Sequence, residues 1–216
     1  MAALDVCEEE HLERLLRVAT CLAMCGYGAQ VGQLASTARA FYSDTQVWAA
    51  QVHHGRGRGR THLMHAVRKG SAARVQYLLD RGAAVDAVDV DGVTALMLAS
   101  NRGHLQTARC LVERGGANVS AARSTDGMTA LMWASRECNL KAVRYLVGLA
   151  GTNVNATRTT DGVTALMLAS GSVDLEILET VRLLLKHGAD RLVADAAGRT
   201  AHFYAAAHPL VQAALV

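Results

Sequence analysis

Apolar and polar residues follow one another along this chain in a pattern that returns at nearly constant intervals. Residues 91–100, DGVTALMLAS, recur unchanged at 161–170, and a near copy, DGMTALMWAS, lies between them at 126–135. The glycines of these motifs belong to a series with spacings of 33, 35, 35 and 36 residues, formed by Gly59, Gly92, Gly127, Gly162 and Gly198. Self-similarity at a fixed period of a few tens of residues predicts a solenoid of stacked units.

Each unit is predicted to contain two short helices. The first follows a threonine that can cap it, and it places a leucine and a small residue three positions later on one face, as at Leu131 and Ala134. The second has an apolar stripe at spacings of three and four residues, typical of an amphipathic helix, as at Val143, Leu146 and Val147. Because a single unit cannot cover these apolar sides, neighbouring units must stack on it.

These features resemble the ankyrin-repeat family from about Arg58 to the C-terminus. The resemblance implies an all-α solenoid of helix-turn-helix units with short β-hairpin fingers, with four full units and a C-terminal capping half-repeat over residues 56–216. The family's TPLH motif is here TALM or a relative, so a methionine replaces the histidine that ties the turn by hydrogen bonds. The positions concerned are Met64, Met97, Met132 and Met167. We therefore expect the hairpin turns to be less rigid.

The chain departs from the regular repeat in three ways: two longer hairpins, one longer loop and one cysteine in a glycine position. Hairpins 123–125 and 158–160 each contain one extra residue, which predicts two longer fingers with basic, hydroxyl-rich tips. Extra residues within 170–180 enlarge the loop between the helices of the fourth unit. Cys138 stands where the family usually has glycine, so a strained left-handed backbone is expected there.

Residues 1–55 are predicted to form a small helical segment of their own. Apolar residues at helical spacing predict helices over 11–23 and 31–41, and a capping box at Ser43 and Gln46 begins a third. One interpretation is a cap that covers the exposed core of the first repeat. The segment also resembles a degenerate F-box, in which the matching residues would be Leu15, Leu16, Leu22, Leu34, Arg39 to Phe41, Asp44 and Trp48.

Composition and charge narrow the class of protein further. The chain has 216 residues, and no stretch in it approaches the roughly 18 uninterrupted apolar residues of a membrane span. Glu8, Glu9 and Glu10 stand where a signal peptide would need basic residues. Five cysteines, an odd number without a disulfide-like pattern, favour a reducing compartment, so we expect an intracellular, cytoplasmic or nuclear protein. The net charge of only +3 argues against a strongly cationic nucleic-acid binder.

The resemblance also implies where a partner would bind, at the hairpin tips and the concave face of the first helices. Two residues after each conserved leucine position, this face presents His65, Leu98, Trp133, Leu168 and Tyr204. Aromatic and arginine residues carry a disproportionate share of binding energy, so Trp133 and Tyr204 are candidate anchors. Arginines beside this stripe predict a basic groove that binds an acidic peptide or surface, and they are Arg102, Arg123, Arg136, Arg158 and Arg199.

No catalytic, metal or cofactor site is predicted. The glycines between Gly26 and Gly32 have the wrong spacing for a dinucleotide fingerprint, and Cys21 and Cys25 lack a second pair of metal ligands. The sequence thus predicts a non-enzymatic scaffold or adaptor that binds another protein. The alternative is a substrate adaptor of a cullin-type ubiquitin ligase, in which residues 8–52 dock the ligase's linker subunit and the repeats hold the substrate.

Overall fold

The computed structural model describes residues 59–172 and 176–216, which belong to one compact unit. Its helices follow one another in pairs: α1 (His62–Arg68), α2 (Ala72–Asp80), α3 (Ala95–Asn101), α4 (Leu105–Glu113), α5 (Ala130–Arg136), α6 (Leu140–Val147), α7 (Ala165–Ser170), α8 (Ile177–Lys186), α9 (Ala201–Tyr204) and α10 (Pro209–Ala214). This order confirms the predicted all-α solenoid. The helical cap and the F-box-like element predicted within residues 1–55 lie outside the described residues and stay predictions.

The helix pairs stack into two layers, one made of the first helices and the other of the second helices. In one layer α1, α3, α5, α7 and α9 each pack against the next, and in the other α2, α4, α6, α8 and α10 do the same. The core between the layers is built from corresponding positions of successive units, including the buried Leu63, Leu96, Leu131 and Leu166. Each unit is therefore covered mainly by its neighbours, as expected for a solenoid.

Threonine caps begin the first helices, as predicted. In the first four units the threonine hydroxyl accepts a hydrogen bond from the backbone N–H of the methionine three residues later, at 3.2 or 3.3 Å. Thr200 in the fifth unit makes no such bond. In the second unit the sulfur of Met97 also accepts a hydrogen bond from the Thr94 N–H at 3.5 Å. In the second unit, Met97 therefore makes a hydrogen bond to the turn although it replaces the family's histidine.

Four hairpin fingers connect the units, each closed by one antiparallel bridge. The bridges join Val88 to Thr94, Ala122 to Thr129, Thr157 to Thr164 and Ala194 to Thr200. Between the bridge positions lie five residues in finger 1 (89–93) and finger 4 (195–199), but six in finger 2 (123–128) and finger 3 (158–163). The predicted lengthening of two fingers is confirmed, and the hydroxyl residues at their tips are exposed.

Neighbouring fingers approach each other closely at glycines of the repeated DG pair, with Gly92 against Ser124 and Gly127 against Thr159. Gly127 has a φ of +77°, and a Cβ built on it would lie 2.8 Å from Thr159 Cγ2 and 3.0 Å from Thr159 N. The same Thr159 N–H donates a hydrogen bond to the Asp126 carbonyl at 2.8 Å. Glycine is therefore required twice here, for the left-handed backbone and for the contact between fingers 2 and 3.

Cys138 adopts the left-handed backbone that its place in the repeat predicted, with a φ of 47°. The corresponding positions in the two preceding units are Gly70 and Gly103, at φ of 71° and 67°. A left-handed conformation costs a residue with a side chain roughly 1–2 kcal/mol. Cys138 is therefore a point of backbone strain in the turn between α5 and α6.

The fifth unit is shorter than the others but contains both helices. The predicted half-repeat thus consists of α9 with four residues and α10 with six, joined by a 3-10 turn, Ala205–Ala207. Its inward side is buried through Ala201, Ala205 and Val211, whereas Phe203 and Leu210 are 58% and 74% exposed.

Candidate partner-binding face

Each first helix has a half-buried position two residues after the conserved leucine position, and these positions form a stripe that we call the first-helix face. Its five members are half-buried, and they are His65, Leu98, Trp133, Leu168 and Tyr204. On α3, α5 and α7 the residues directly before and after the stripe position are buried, because they face the core. Leu98, Trp133, Leu168 and Tyr204 therefore pack against the edge of the core with one part of the side chain and leave the rest of it exposed to a partner.

Trp133, at the middle of this stripe, lies beside two guanidinium groups. The Cζ atoms of Arg136 and Arg123 lie 4.5 Å and 5.2 Å from the centroid of the indole ring, within the range of a cation–π contact. Arg136 is the last residue of α5 and is exposed, and its Nη2 donates to Glu137 Oε1 at 2.8 Å. Arg123 reaches the ring from finger 2. The fold thus places two of the predicted site arginines around Trp133, itself a predicted site residue.

The arginines of the two long fingers are bound to aspartates of the same fingers. Arg123 Nε donates to Asp126 Oδ1 at 2.8 Å and Arg158 Nε donates to Asp161 Oδ1 at 2.7 Å, and in each pair Nη2 bonds the second carboxylate oxygen. These hydrogen bonds lower the pKa of both aspartates from the ordinary value and raise the pKa of both arginines. The expected basic charge at the tips is therefore neutralised within each finger, which corrects the prediction of basic tips.

Neutralising Asp126 is expected to remove part of the protein's sensitivity to acid. The hydrogen bond from Arg123 lowers the pKa of Asp126 in the folded state, so its stabilising contribution is fully present above the unfolded pKa of about 3.9 and is lost as the pH falls through the folded pKa. Asp126→Asn should therefore lower the free energy of unfolding by on the order of 1 kcal/mol at neutral pH. The difference from the unmodified protein should shrink below about pH 4.

Urea unfolding of both proteins at pH 7 and at successively lower pH measures this difference. A gap between the two proteins that is as large at about pH 3 as at neutral pH would contradict the assignment, because the lost interaction would then not depend on the ionised carboxylate.

At the far end of the first-helix face, Tyr204 is fixed by a network within the fifth unit. Its hydroxyl donates to Asp195 Oδ2 at 2.6 Å and accepts from Arg199 Nη2 at 3.1 Å, while Arg199 Nε donates to the same carboxylate oxygen at 2.8 Å. The tyrosine hydrogen bond, joined by the Arg199 and Ala197 contacts, holds the pKa of Asp195 well below its ordinary value. Burial and Asp195 raise the pKa of Tyr204, so the phenol stays protonated.

The remaining predicted site residues lie along the same stripe without joining either cluster. Leu98 and Leu168 are the half-buried stripe positions of α3 and α7, on either side of Trp133. Arg102 is exposed at the C-terminal cap of α3, and within residues 59–172 and 176–216 it forms no ion pair. The carboxylates that position the arginines, Asp126, Asp161 and Asp195, were not among the predicted site residues. An arginine followed three residues later by aspartate in both long fingers was the signal that could have found two of them.

Family models account for most of the chain. A model of ankyrin repeats in three copies matches residues 28–122 and 63–158, and a model of a single ankyrin repeat matches residues 161–196. The chain belongs to the ankyrin-repeat family. The first of these matches begins at residue 28, inside the stretch whose pattern predicts a separate helical segment. Ankyrin repeats are in general protein-interaction modules and are typically not enzymes.

Two further findings apply to this ankyrin-repeat protein within its described part. None of the helices there combines the length and the apolar composition that a membrane crossing requires. Nor do three or more side chains of histidine, cysteine, aspartate or glutamate within that part come together as a metal site would need.

Proposed function

We propose that this ankyrin-repeat protein is a scaffold or adaptor, without chemistry of its own, that binds a protein partner on the first-helix face and the adjoining fingers. The observation that carries the proposal is the stripe of half-buried positions with Trp133 at its middle, between Arg123 and Arg136. Tryptophan, tyrosine and arginine dominate the energetics of protein interfaces. The odd number of cysteines supports a reducing, intracellular setting.

Preorganisation strengthens the case for this face. Arg123 is held by Asp126 and also contacts the Trp133 ring, and Tyr204 is held by Asp195 and Arg199. Side chains that are already ordered lose less conformational entropy when a partner covers them. The anchors of the proposed interface are thus fixed before binding.

The proposed partner presents an acidic group near the middle of the stripe. Because the finger arginines are already paired, the predicted site arginines that remain exposed are Arg102 and Arg136, and Arg136 shares its charge with Glu137. A carboxylate of the partner would gain charge-assisted hydrogen bonds from them. The contribution of acidic residues to affinity is therefore smaller than five unpaired arginines would supply, and the apolar and aromatic positions carry more of the binding.

Replacing Trp133 and Arg136 together by alanine is expected to weaken capture of the partner by about 30-fold, corresponding to roughly 2 kcal/mol for the loss of a hot-spot pair. The experiment is affinity purification with the full chain followed by quantitative mass spectrometry, comparing the unmodified protein with the double variant. Circular dichroism and thermal unfolding establish that both are folded.

The matched control is Tyr77→Ala, which removes an aromatic residue that is 46% exposed on α2, in the other helix layer. Proteins that depend on the first-helix face should be lost with the Trp133 and Arg136 variant and retained with the control. If capture of every specific protein is unchanged in the folded double variant, the site assignment fails.

A further inference from the structure

A groove on the opposite layer is formed by the second helices of the second and third units. It lies between α4 and α6 and has a volume of about 550 Å³. Leucines from both helices and from the segment after α6 give it an apolar lining, and arginine and lysine side chains stand beside them. The lining residues are Leu105, Arg109, Leu140, Lys141, Arg144, Tyr145, Gly148 and Leu149. We call this the second-helix groove.

Three cationic side chains around this groove lack an acidic partner within the described part of the chain. Arg109, Lys141 and Arg144 are exposed, and no carboxylate there forms an ion pair with any of them. On α8, the residue that corresponds to Lys141 is Glu179, and it pairs with Arg182 at 3.1 Å. Lys141 replaces this acid on α6, so three cations surround the groove, and the nearby carboxylate of Glu113, which bonds Tyr145, offsets only part of their charge.

Tyr145 fixes one wall of the groove. Its hydroxyl donates to Glu113 Oε1 at 3.2 Å, and the Cζ of Arg109 lies 5.3 Å from the ring centroid. Burial, together with the charge of Glu113, raises the pKa of Tyr145 to about 12, so the hydroxyl remains a donor at neutral pH. Glu113 is engaged by this hydrogen bond, and it is not among the residues that line the groove. The ring therefore holds Arg109 in place beside the apolar lining without cancelling the charge of the groove.

We propose that the second-helix groove is a second interaction site, which binds an acidic amphipathic segment of a protein partner. Apolar side chains of that segment would bury against Leu105, Leu140 and Leu149, and its carboxylates would pair with the surrounding cations. The volume lies within the range of about 300–1,000 Å³ that is common for ligand pockets. Both features are needed for this choice, because a purely electrostatic ligand would leave the leucines exposed and a purely apolar ligand would leave three cations unpaired.

This site is independent of the first-helix face, since it lies on the other helix layer and shares no residue with it. A chain that binds one partner on each layer would bring two proteins together. The second-helix groove therefore adds a second site to the adaptor role, and loss of binding at one site leaves the other intact.

The test uses the full chain and a fluorescein-labelled helical peptide of about 18 residues, with leucines on one face and glutamates beside them. Fluorescence anisotropy should detect binding that weakens as salt is raised. Lys141→Glu combined with Arg144→Glu should weaken binding at least tenfold, and Lys141→Gln with Arg144→Gln should weaken it by an intermediate factor. Circular dichroism checks that the variants are folded.

The matched control is Arg182→Glu with Lys186→Glu, which changes the net charge equally on α8 outside the groove and should leave binding within about twofold. Equal weakening by the control, or equal binding of a peptide with lysine in place of glutamate, would overturn the proposal. So would absence of binding up to about 1 mM. Stronger groove-dependent binding to vesicles with phosphatidylserine or to single-stranded DNA would also overturn it in favour of that ligand class.

Discussion

Replacing Leu146 by alanine should lower the free energy of unfolding by about 3 kcal/mol, the typical effect of a large cavity in a tightly packed core. Leu146 lies on α6 and is fully buried at 0% exposure. Because α6 packs against α5 within its own unit and against α4 and α8 in the neighbouring units, the cavity weakens an internal unit and both of its interfaces. In a solenoid the stability is approximately a sum of unit terms and nearest-neighbour terms, so a central defect reduces several of them at once.

Leu215→Ala is the matched control for this prediction. Leu215 is also buried, at 5% exposure, but it follows α10 at the end of the described solenoid. Its removal should fray the fifth unit and leave the main transition nearly unchanged. Urea unfolding followed by circular dichroism measures both effects. A smaller slope for Leu146→Ala would show that the units no longer unfold together. Equal shifts of the midpoint in the two variants would contradict a nearest-neighbour description.

Local rules predicted the elements of this fold well, because each element depends on few residues. The threonine that begins each first helix and the apolar stripe of each second helix follow from spacings within one unit, and the left-handed position of Cys138 follows from the glycine that the family resemblance implies there. Repetition strengthened these inferences, since each pattern was present several times. The half-burial of the stripe positions, including Trp133, also follows from the periodicity, because the buried positions on either side leave one side of the helix uncovered.

The charge state of the surface could not be predicted in the same way. Whether Arg123 points toward a partner or folds back on Asp126 depends on side-chain rotamers and on the closure of a six-residue hairpin. Contacts between units could not be predicted from the sequence of one unit either, because Thr159 and Asp126 meet only when fingers 2 and 3 stack. The sequence pattern therefore overestimated the charge that the finger arginines offer, because it did not reveal their aspartate partners.

The arginine–aspartate pairs of the fingers change where unpaired positive charge lies on the described part of the molecule. On the fingers beside the first-helix face, Arg123, Arg158 and Arg199 are each bonded to an aspartate. On the second helices Arg109, Lys141 and Arg144 have no ion pair within the described residues, although no motif drew attention to them. Aromatic and apolar contacts thus dominate the proposed first site, whereas the second combines an apolar lining with cations that have no ion pair in that part of the chain. Raising the salt concentration should therefore weaken binding at the second-helix groove more than at the first-helix face.

Gly127→Ala should destabilise the protein by roughly 3 kcal/mol, from the left-handed backbone at φ +77° together with overpacking against finger 3. The new methyl group would lie 3.0 Å from the backbone nitrogen of Thr159, which a rotamer change cannot relieve. Finger 3 must then move away, and the hydrogen bond from the Thr159 N–H to the Asp126 carbonyl is lost. Urea unfolding measures the loss of stability, and hydrogen exchange at the Thr159 amide reports the contact between the fingers.

Gly116→Ala separates the two causes, because Gly116 has a φ of +66° and a Cβ there would meet nothing within 4 Å. This control should cost only the left-handed backbone term, roughly 1 kcal/mol, and should leave the Thr159 amide protected. The difference between the two variants is then the cost of separating adjacent fingers. Equal losses of stability in both variants, with the Thr159 amide protected in each, would contradict the prediction. Gly127 would then be required only for the left-handed backbone of its own turn. In that case the fingers would not be coupled through this contact, and a partner bound at one finger would have no such route to order the next.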